Sequence, residues 1–490
     1  MGDGPHWTVA EAARAIRTRE VACVELTGEL LDRARVADEQ LHCFVGIDGR
    51  RAMAVAGELD QALAAGAPSG SLTGVPYAYK DIFVRDGVAP SQGSRTLRLP
   101  FRGRDATLLQ RLDRAGAVPL GRLNLDQFGY AATGANPDFG DTRNPWDPSC
   151  VAGGSSSGAA AAVAAGVLPF AIGSDTGGSV RIPAAFCGIV GLKPTYGRVP
   201  KRGAAAMCFS QDTPGVLARS VLDAAIVLDA IAGHDPLDAS SVDAPVADHA
   251  SAASPDPSVR GLRVGVDRAY NEAVADAEVL DALNAALGVL EGAGAEVVDV
   301  DLSALPDYDL VATLLTSAEV SAVHAQTFSA RPEAYAPATR ARLGTARSAT
   351  GMDHVNALRL QGRALSAFVD GVLSRVELIA MPATPTAAPT LVDALDRAGD
   401  DGVSASIRAL TLNRAFNLLG LPAMSVPMGF DAAGLPLGLQ LVAGPWREAR
   451  LLRCGAAFQA NSGWHLEAPR DWRWVVGQPS GSLEDKERSR

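Results

Sequence analysis

Aromatic residues are scarce in this 490-residue chain, at 5%, and cysteines number only six. Those six (Cys23, Cys43, Cys150, Cys187, Cys208 and Cys454) form no C-x-x-C pair, and no histidine cluster stands at metal-ligand spacing. A structural zinc site and a disulfide framework are therefore excluded, and reduced, mostly buried thiols of a cytoplasmic protein are expected. Positive charge is also short: 44 Lys and Arg against 55 Asp and Glu leave −11, which excludes a general nucleic-acid binder. Long hydrophobic runs are missing too. The longest apolar stretch, Ala159 to Ile172, is broken by Gly166 and Pro169 and is too short to span a membrane. Met1 to Thr8 lacks the basic-then-apolar pattern of a secretory signal.

What is present suffices for a large core: 47% hydrophobic and 20% charged residues describe a folded globular chain. Thr8 with Glu11 three residues on predicts a capped helix, and two further helical runs reach about Ala65. The run Val75 to Tyr79 predicts a strand ending at Lys80 and Asp81, followed by a helix over Ala106 to Arg114 and a strand over Ala117 to Leu120. A helix is expected over Gly158 to Ala165 and a buried strand over Val167 to Ile172. Later strands are expected at Leu262–Val266, Glu296–Val300, Leu378–Met381, Met424–Pro427 and Leu437–Val442. Helices near 220–232, 275–293, 308–326, 354–374 and 404–418 separate them. The alternation predicts an α/β fold: one mixed, twisted sheet covered by helices on both faces. A single domain over 1–478 is expected, with N-terminal helices over 1–66, a core over 72–220, a variable region over 240–410 and closing strands over 417–445. Asp243 to Ser258 reads as a surface loop and 479–490 as a mobile tail.

Chemistry concentrates in two glycine loops, Gly153-Gly154-Ser155-Ser156-Ser157-Gly158 and Gly173-Ser174-Asp175-Thr176-Gly177-Gly178-Ser179. Flexible linker is one reading, yet apolar runs bracket both loops tightly. A phosphate cradle is another, but Ala159 and Ala160 stand where a P-loop needs its lysine and hydroxyl. Gly154-x-Ser156-x-Gly158 also fits a nucleophile elbow, although the preceding Trp146 to Ala152 is turn-like rather than a strand.

Taken with Lys80 and the run Arg181-Ile182-Pro183-Ala184-Ala185-Phe186-Cys187-Gly188-Ile189-Val190-Gly191-Leu192-Lys193-Pro194-Thr195, the two loops resemble the amidase signature family. The likeness is dense from Leu72 to Ser220 and resumes at Asn417 to Pro427 and Gly434 to Pro445. It implies amide hydrolysis by a serine, a second serine in a cis peptide and a lysine: Ser179 as nucleophile, Ser155 as bridge, Lys80 as base. It also implies an oxyanion site from the backbone of Thr176, Gly177, Gly178 and Ser179, with Gly154, Ser156, Asp175 and Arg181 as supports and Asp212 of the same status. The chemistry fits the residue types. A serine hydroxyl needs a neighbouring base, an amine can serve only when unprotonated, and burial favours its neutral form. Neither a cofactor nor a metal is required.

The family spans many amides, and the chain also resembles the glutaminase component of the tRNA amidotransferases at Lys193 to Pro200 and Gly233-His234-Asp235-Pro236. That component grips the glutamine ammonium with an acidic residue seven positions before the asparagine matching Asn417, and here Leu410 stands there. A leucine leaves that charge unpaired, which argues against glutamine. Gln127, Phe128, Gly129, Tyr130, Met207, Phe209, Leu410 and Phe416 are the candidate substrate contacts. They predict a small, uncharged apolar or aryl amide, or a carbamate, cleaved by a monomer or homodimer without nucleic-acid or membrane partners. The alternative is a glutaminase delivering ammonia within a complex.

Overall fold

Eleven strands, among the residues described, join in one mixed sheet. The computed structural model describes residues 6–99, 104–254, 257–395 and 405–469. The strands are β1 (Phe44–Ile47), β2 (Pro76–Lys80), β3 (Val118–Leu123), β4 (Phe170–Asp175), β5 (Val190–Lys193), β6 (Thr213–Ala218), β7 (Arg263–Val266), β8 (Glu296–Asp299), β9 (Leu378–Pro382), β10 (Ala423–Phe430) and β11 (Pro436–Ala443). Their order across the sheet is β1-β3-β2-β4-β6-β5-β10-β11-β9-β7-β8, with helices packed on both faces. The fold is α/β, as the alternation of elements predicts.

Thr8 and Glu11 do form a capping box at the helix Val9–Arg17. Three strands lie outside the sequence expectation. β1 interrupts the N-terminal helices as a short edge strand antiparallel to β3. β5 and β6 pair antiparallel, and β6 carries Pro214 and Gly215, residues that read as a turn in sequence but here sit in a fully buried strand. The helix expected over 404–418 is two, Ala405–Leu410 and Arg414–Leu418, because Asn413 leaves helical geometry and its Nδ2 donates instead to Ala383 O and Ala409 O. Asp243 to Ser258 is not all loop, since His249–Ala252 forms one short helix there. The tail 479–490 lies outside the described residues.

Parallel pairing positions the site. Tyr77, Ala78 and Tyr79 of β2 stand opposite Phe170, Ala171 and Ile172 of β4, so both C-terminal ends meet on one edge of the sheet. Both strands are buried throughout. Tyr77 stacks on Phe170 with centroids 5.2 Å apart, and each such buried side chain stabilises the fold by roughly 1.5–3 kcal/mol. The helix Ser157–Ala164 is buried on every side, which suits its run of alanines. A β-carbon at Gly158 would lie 2.7 Å from Asn124 N, so only glycine lets this helix approach the end of β3.

Candidate active site

Lys80 ends β2, and Ser174 and Asp175 end β4. Lys80 is 1% exposed; its Nζ donates to Ser155 Oγ at 2.7 Å and to Ser174 Oγ at 3.0 Å. Burial pulls the amine down to about 8, against the opposing pull of the Asp126, Asp212 and Asp175 carboxylates. Such an amine is partly neutral near physiological pH.

The peptide bond between Gly154 and Ser155 is cis. Ser156 joins this loop to its neighbour: its Oγ donates to Ser174 O at 3.1 Å, its Oγ accepts from Ser174 N at 3.3 Å, and its N–H donates to Ser179 O at 3.1 Å. Asp126 holds the other side. Its carboxylate accepts from Thr133 Oγ1 and from Gly134 N, both at 2.9 Å, and a β-carbon at Gly154 would collide with its Oδ2. Burial pushes this carboxyl up, while the donors of Gly134 and Thr133 act in the opposite sense.

Asp175 organises the second loop. Its Oδ1 accepts from Gly178 N at 2.8 Å, its Oδ2 accepts from Val180 N at 3.1 Å, and Arg181 donates to both oxygens at 2.8 and 3.0 Å. Burial alone would raise the Asp175 carboxyl, but the Arg181 guanidinium holds it well below the usual carboxylate range. Arg181 continues to Gln440 Oε1 at 2.6 Å and Asn417 Oδ1 at 2.7 Å. Asp175 and Arg181 thus pair with each other and with backbone. Asp212 has a comparable role, accepting from Thr176 Oγ1 at 2.6 Å and Met207 N at 2.8 Å.

A cavity of about 340 Å³ opens on this edge. Lys80, Ser155, Ser174, Thr176 and Asp212 supply the polar wall nearest the glycine loops, Gln92, Lys201, Arg202 and Asp238 add further polar and charged groups, and Phe128, Gly129 and Met207 are also on the lining. Contrary to expectation, Phe209 and Phe416 stand away from this cavity. The Gly178 N–H is occupied by Asp175, which leaves Thr176, Gly177 and Ser179 as the loop's remaining backbone donors. Ser179 is 5% exposed and is not among the residues lining this cavity, and among the described residues no hydrogen bond joins its hydroxyl to Ser155. Phe209 is 55% exposed and is not on the cavity lining, and its carbonyl accepts from Tyr196 Oη at 2.8 Å. Phe416 is fully buried in a core cluster beside Phe368, away from the cavity. Gln127 braces a loop, its Oε1 accepting from Ala336 N at 3.0 Å, and the Tyr130 carbonyl accepts from Arg342 Nη1 at 2.9 Å. Leu410 lines no part of this cavity but packs beside Gly177. Ser174 and Asp126 escaped sequence reasoning. Ser174 sits inside the glycine loop already singled out, whereas nothing around Asp126 marks it.

Fold and site together define an α/β enzyme of the class that hydrolyses carbon–nitrogen bonds. The chain belongs to the amidase family: the family model described as Amidase matches residues 25–452. It is 40% identical to the A component of the glutamyl-tRNA(Gln) amidotransferase of Halorhodospira halophila, over 94% of this chain and 98% of that one. Among solved structures it is similar to one from a vestigial protein complex bearing on the origins of an s-triazine catabolic enzyme, with a TM-score of 0.85, 32% identity, and 92% and 98% of the two chains covered. A bacterial aryl acylamidase of the amidase signature family gives a TM-score of 0.85 at 26% identity, covering 97% of this chain and 99% of that one. Among the described residues, no helix is long and apolar enough to cross a membrane, and no group of three or more His, Cys, Asp or Glu could hold a metal ion.

Proposed function

We propose that the chain hydrolyses small amides through an acyl-enzyme on Ser179. The observation carrying this reading is the desolvated Lys80 amine 2.7 Å from Ser155 Oγ, on a loop whose Ser156 N–H is bonded to Ser179 O. Neutral Lys80 takes the Ser155 proton as Ser155 takes that of Ser179, and Ser179 Oγ attacks the amide carbonyl carbon. The oxyanion is received by the N–H groups of Thr176, Gly177 and Ser179; one such donor is worth roughly 3 kcal/mol. Collapse breaks the C–N bond, the leaving nitrogen takes the relayed proton, and water then hydrolyses the ester by the same route. Asp126, Asp175, Asp212 and Arg181 are positioning residues.

Phe128, Met207 and Ala204 to Ala206 make part of the lining apolar, which favours an uncharged alkyl or aryl amide or a carbamate. A monomer or homodimer suffices for this chemistry, and six free, buried cysteines suit a reducing cytoplasm. The likeness to an amidotransferase component favours a second reading, in which the chain feeds ammonia to a partner. Leu410, half-buried beside Gly177 in the glycine loop, opposes it by putting an apolar side chain where that component carries its acidic residue, although Asp238 does bring a carboxylate to the cavity lining. The test is chromophore release from a neutral nitroanilide by the purified chain, beside a Ser179→Ala control and a glutamine deamidation assay. Anilide turnover lost in the control is expected; glutamine turnover without anilide cleavage overturns the substrate reading.

A further inference from the structure

A second concavity lies far from Lys80. It has a volume of about 260 Å³ and sits where β7 ends at Val266 and gives way to the helices Arg268–Val274 and Ala277–Gly292. β7 is six places from β4 in the sheet order, about 29 Å at the usual strand spacing. It runs parallel to both β8 and β9, and the carboxyl ends of parallel strands are where open α/β sheets take ligands.

Asn271 lines this concavity, is 1% exposed, and neither its Oδ1 nor its Nδ2 has a hydrogen-bond partner. A buried carboxamide with both ends unpaired costs stability unless something else pairs with it. Its natural complement is another edge carrying a donor and an acceptor side by side. The apolar lining comes from the buried Val266 and Leu283 together with Leu280 and Ala277, while Arg268, Glu272 and Asp281 are exposed around it. Arg268 Nη1 donates to Asn284 Oδ1 at 3.1 Å and its Nε lies 3.8 Å from Asp299 Oδ1, so the guanidinium is held at the rim with donors to spare. A guanidinium recognises a carboxylate and two carboxylates recognise an ammonium.

We propose that this concavity binds a small zwitterionic amino acid whose side chain ends in a carboxamide. Asn271 pairs with the carboxamide edge, Arg268 with the carboxylate, and Glu272 and Asp281 with the ammonium. This is a binding site apart from the hydrolytic one, and it consumes nothing.

The probes are L-glutamine and L-norvaline, which share the zwitterion but not the amide edge. Titration calorimetry is run on Ser179→Ala protein, so that turnover adds no heat, and on the same protein carrying Asn271→Leu or Arg268→Ala. Glutamine is expected to bind one to one, norvaline about tenfold more weakly, and each variant about tenfold more weakly than its parent. Asn271→Leu alone is expected to melt no lower than wild type and to keep nitroanilide activity, because it removes an unpaired buried amide. Should that variant fail to fold, Arg268→Ala, altered only at the exposed rim, decides the matter. No glutamine heat, equal binding of norvaline, or affinity unchanged in Asn271→Leu or, where that fails to fold, in Arg268→Ala would each overturn the proposal. The first result means solvent alone satisfies Asn271, and the last means glutamine sits elsewhere.

Discussion

Lys80 shows how surroundings change the chemistry of one residue. In water its amine would be charged throughout the physiological range; inside the sheet edge it is pulled down to about 8. The proposed base works only when neutral, so kcat/KM for a neutral anilide is expected to rise about tenfold per pH unit below that value and level off above it. Lys80→Met should lower kcat by 10²- to 10⁴-fold, a range typical of lost acid–base catalysis, and flatten the profile. Gly154 makes a complementary case. Since a β-carbon there would strike the Asp126 carboxylate, Gly154→Ala is expected to displace Ser155 and reduce turnover more than it raises KM, with a fall in melting temperature seen by calorimetry. The position of Lys80 could be read because an apolar run stops at it. Its contact with Ser174 could not, because that bond spans 94 residues of chain. The engagement of Gly178 by Asp175 was within reach, since an Asp three residues before a glycine commonly bonds the backbone ahead of it.

Among elements, β4 and the helix Arg181–Cys187 frame the glycine loop, and the buried Asp175–Arg181 pair locks them together. Arg181→Met would leave the Asp175 carboxylate buried without its cation, at a cost of roughly 3–5 kcal/mol in denaturant unfolding. Adding Asp175→Asn should recover part of that loss, while the Gly178 N–H loses its anionic partner and activity stays low. Helices and strands with a clean apolar pattern, such as β2, β9 and β11, were legible in the sequence. β6 was not, because burial on both faces removes any alternation and Pro214-Gly215 imitates a turn. Nor was the break at Asn413, which tertiary bonds to Ala383 impose on an otherwise helical pattern.

Over the whole molecule the same buried amine affects stability. The folded pKa of Lys80, about 8, lies below its ordinary value of 10.5, so between those pH values the unfolded chain binds more protons and stability rises with pH. Below about pH 8 the penalty is complete, at roughly 3 kcal/mol, and above 10.5 it is gone. Comparing wild type with Lys80→Met by urea unfolding from pH 7 to 10.5 isolates this contribution from that of other titrating groups. The difference is expected to shift in favour of wild type across the window; a pH-independent difference would show that the amine is not desolvated.

Arg181 bonds Gln440, 259 residues further along the chain, and Asn417, 236 residues further. During synthesis both loops, with Lys80, Ser155 and Ser179, leave the ribosome long before those partners exist. A nascent or prematurely terminated chain therefore carries the proposed base and nucleophile but lacks the side chains that hold Arg181 and, through it, Asp175 and the glycine loop.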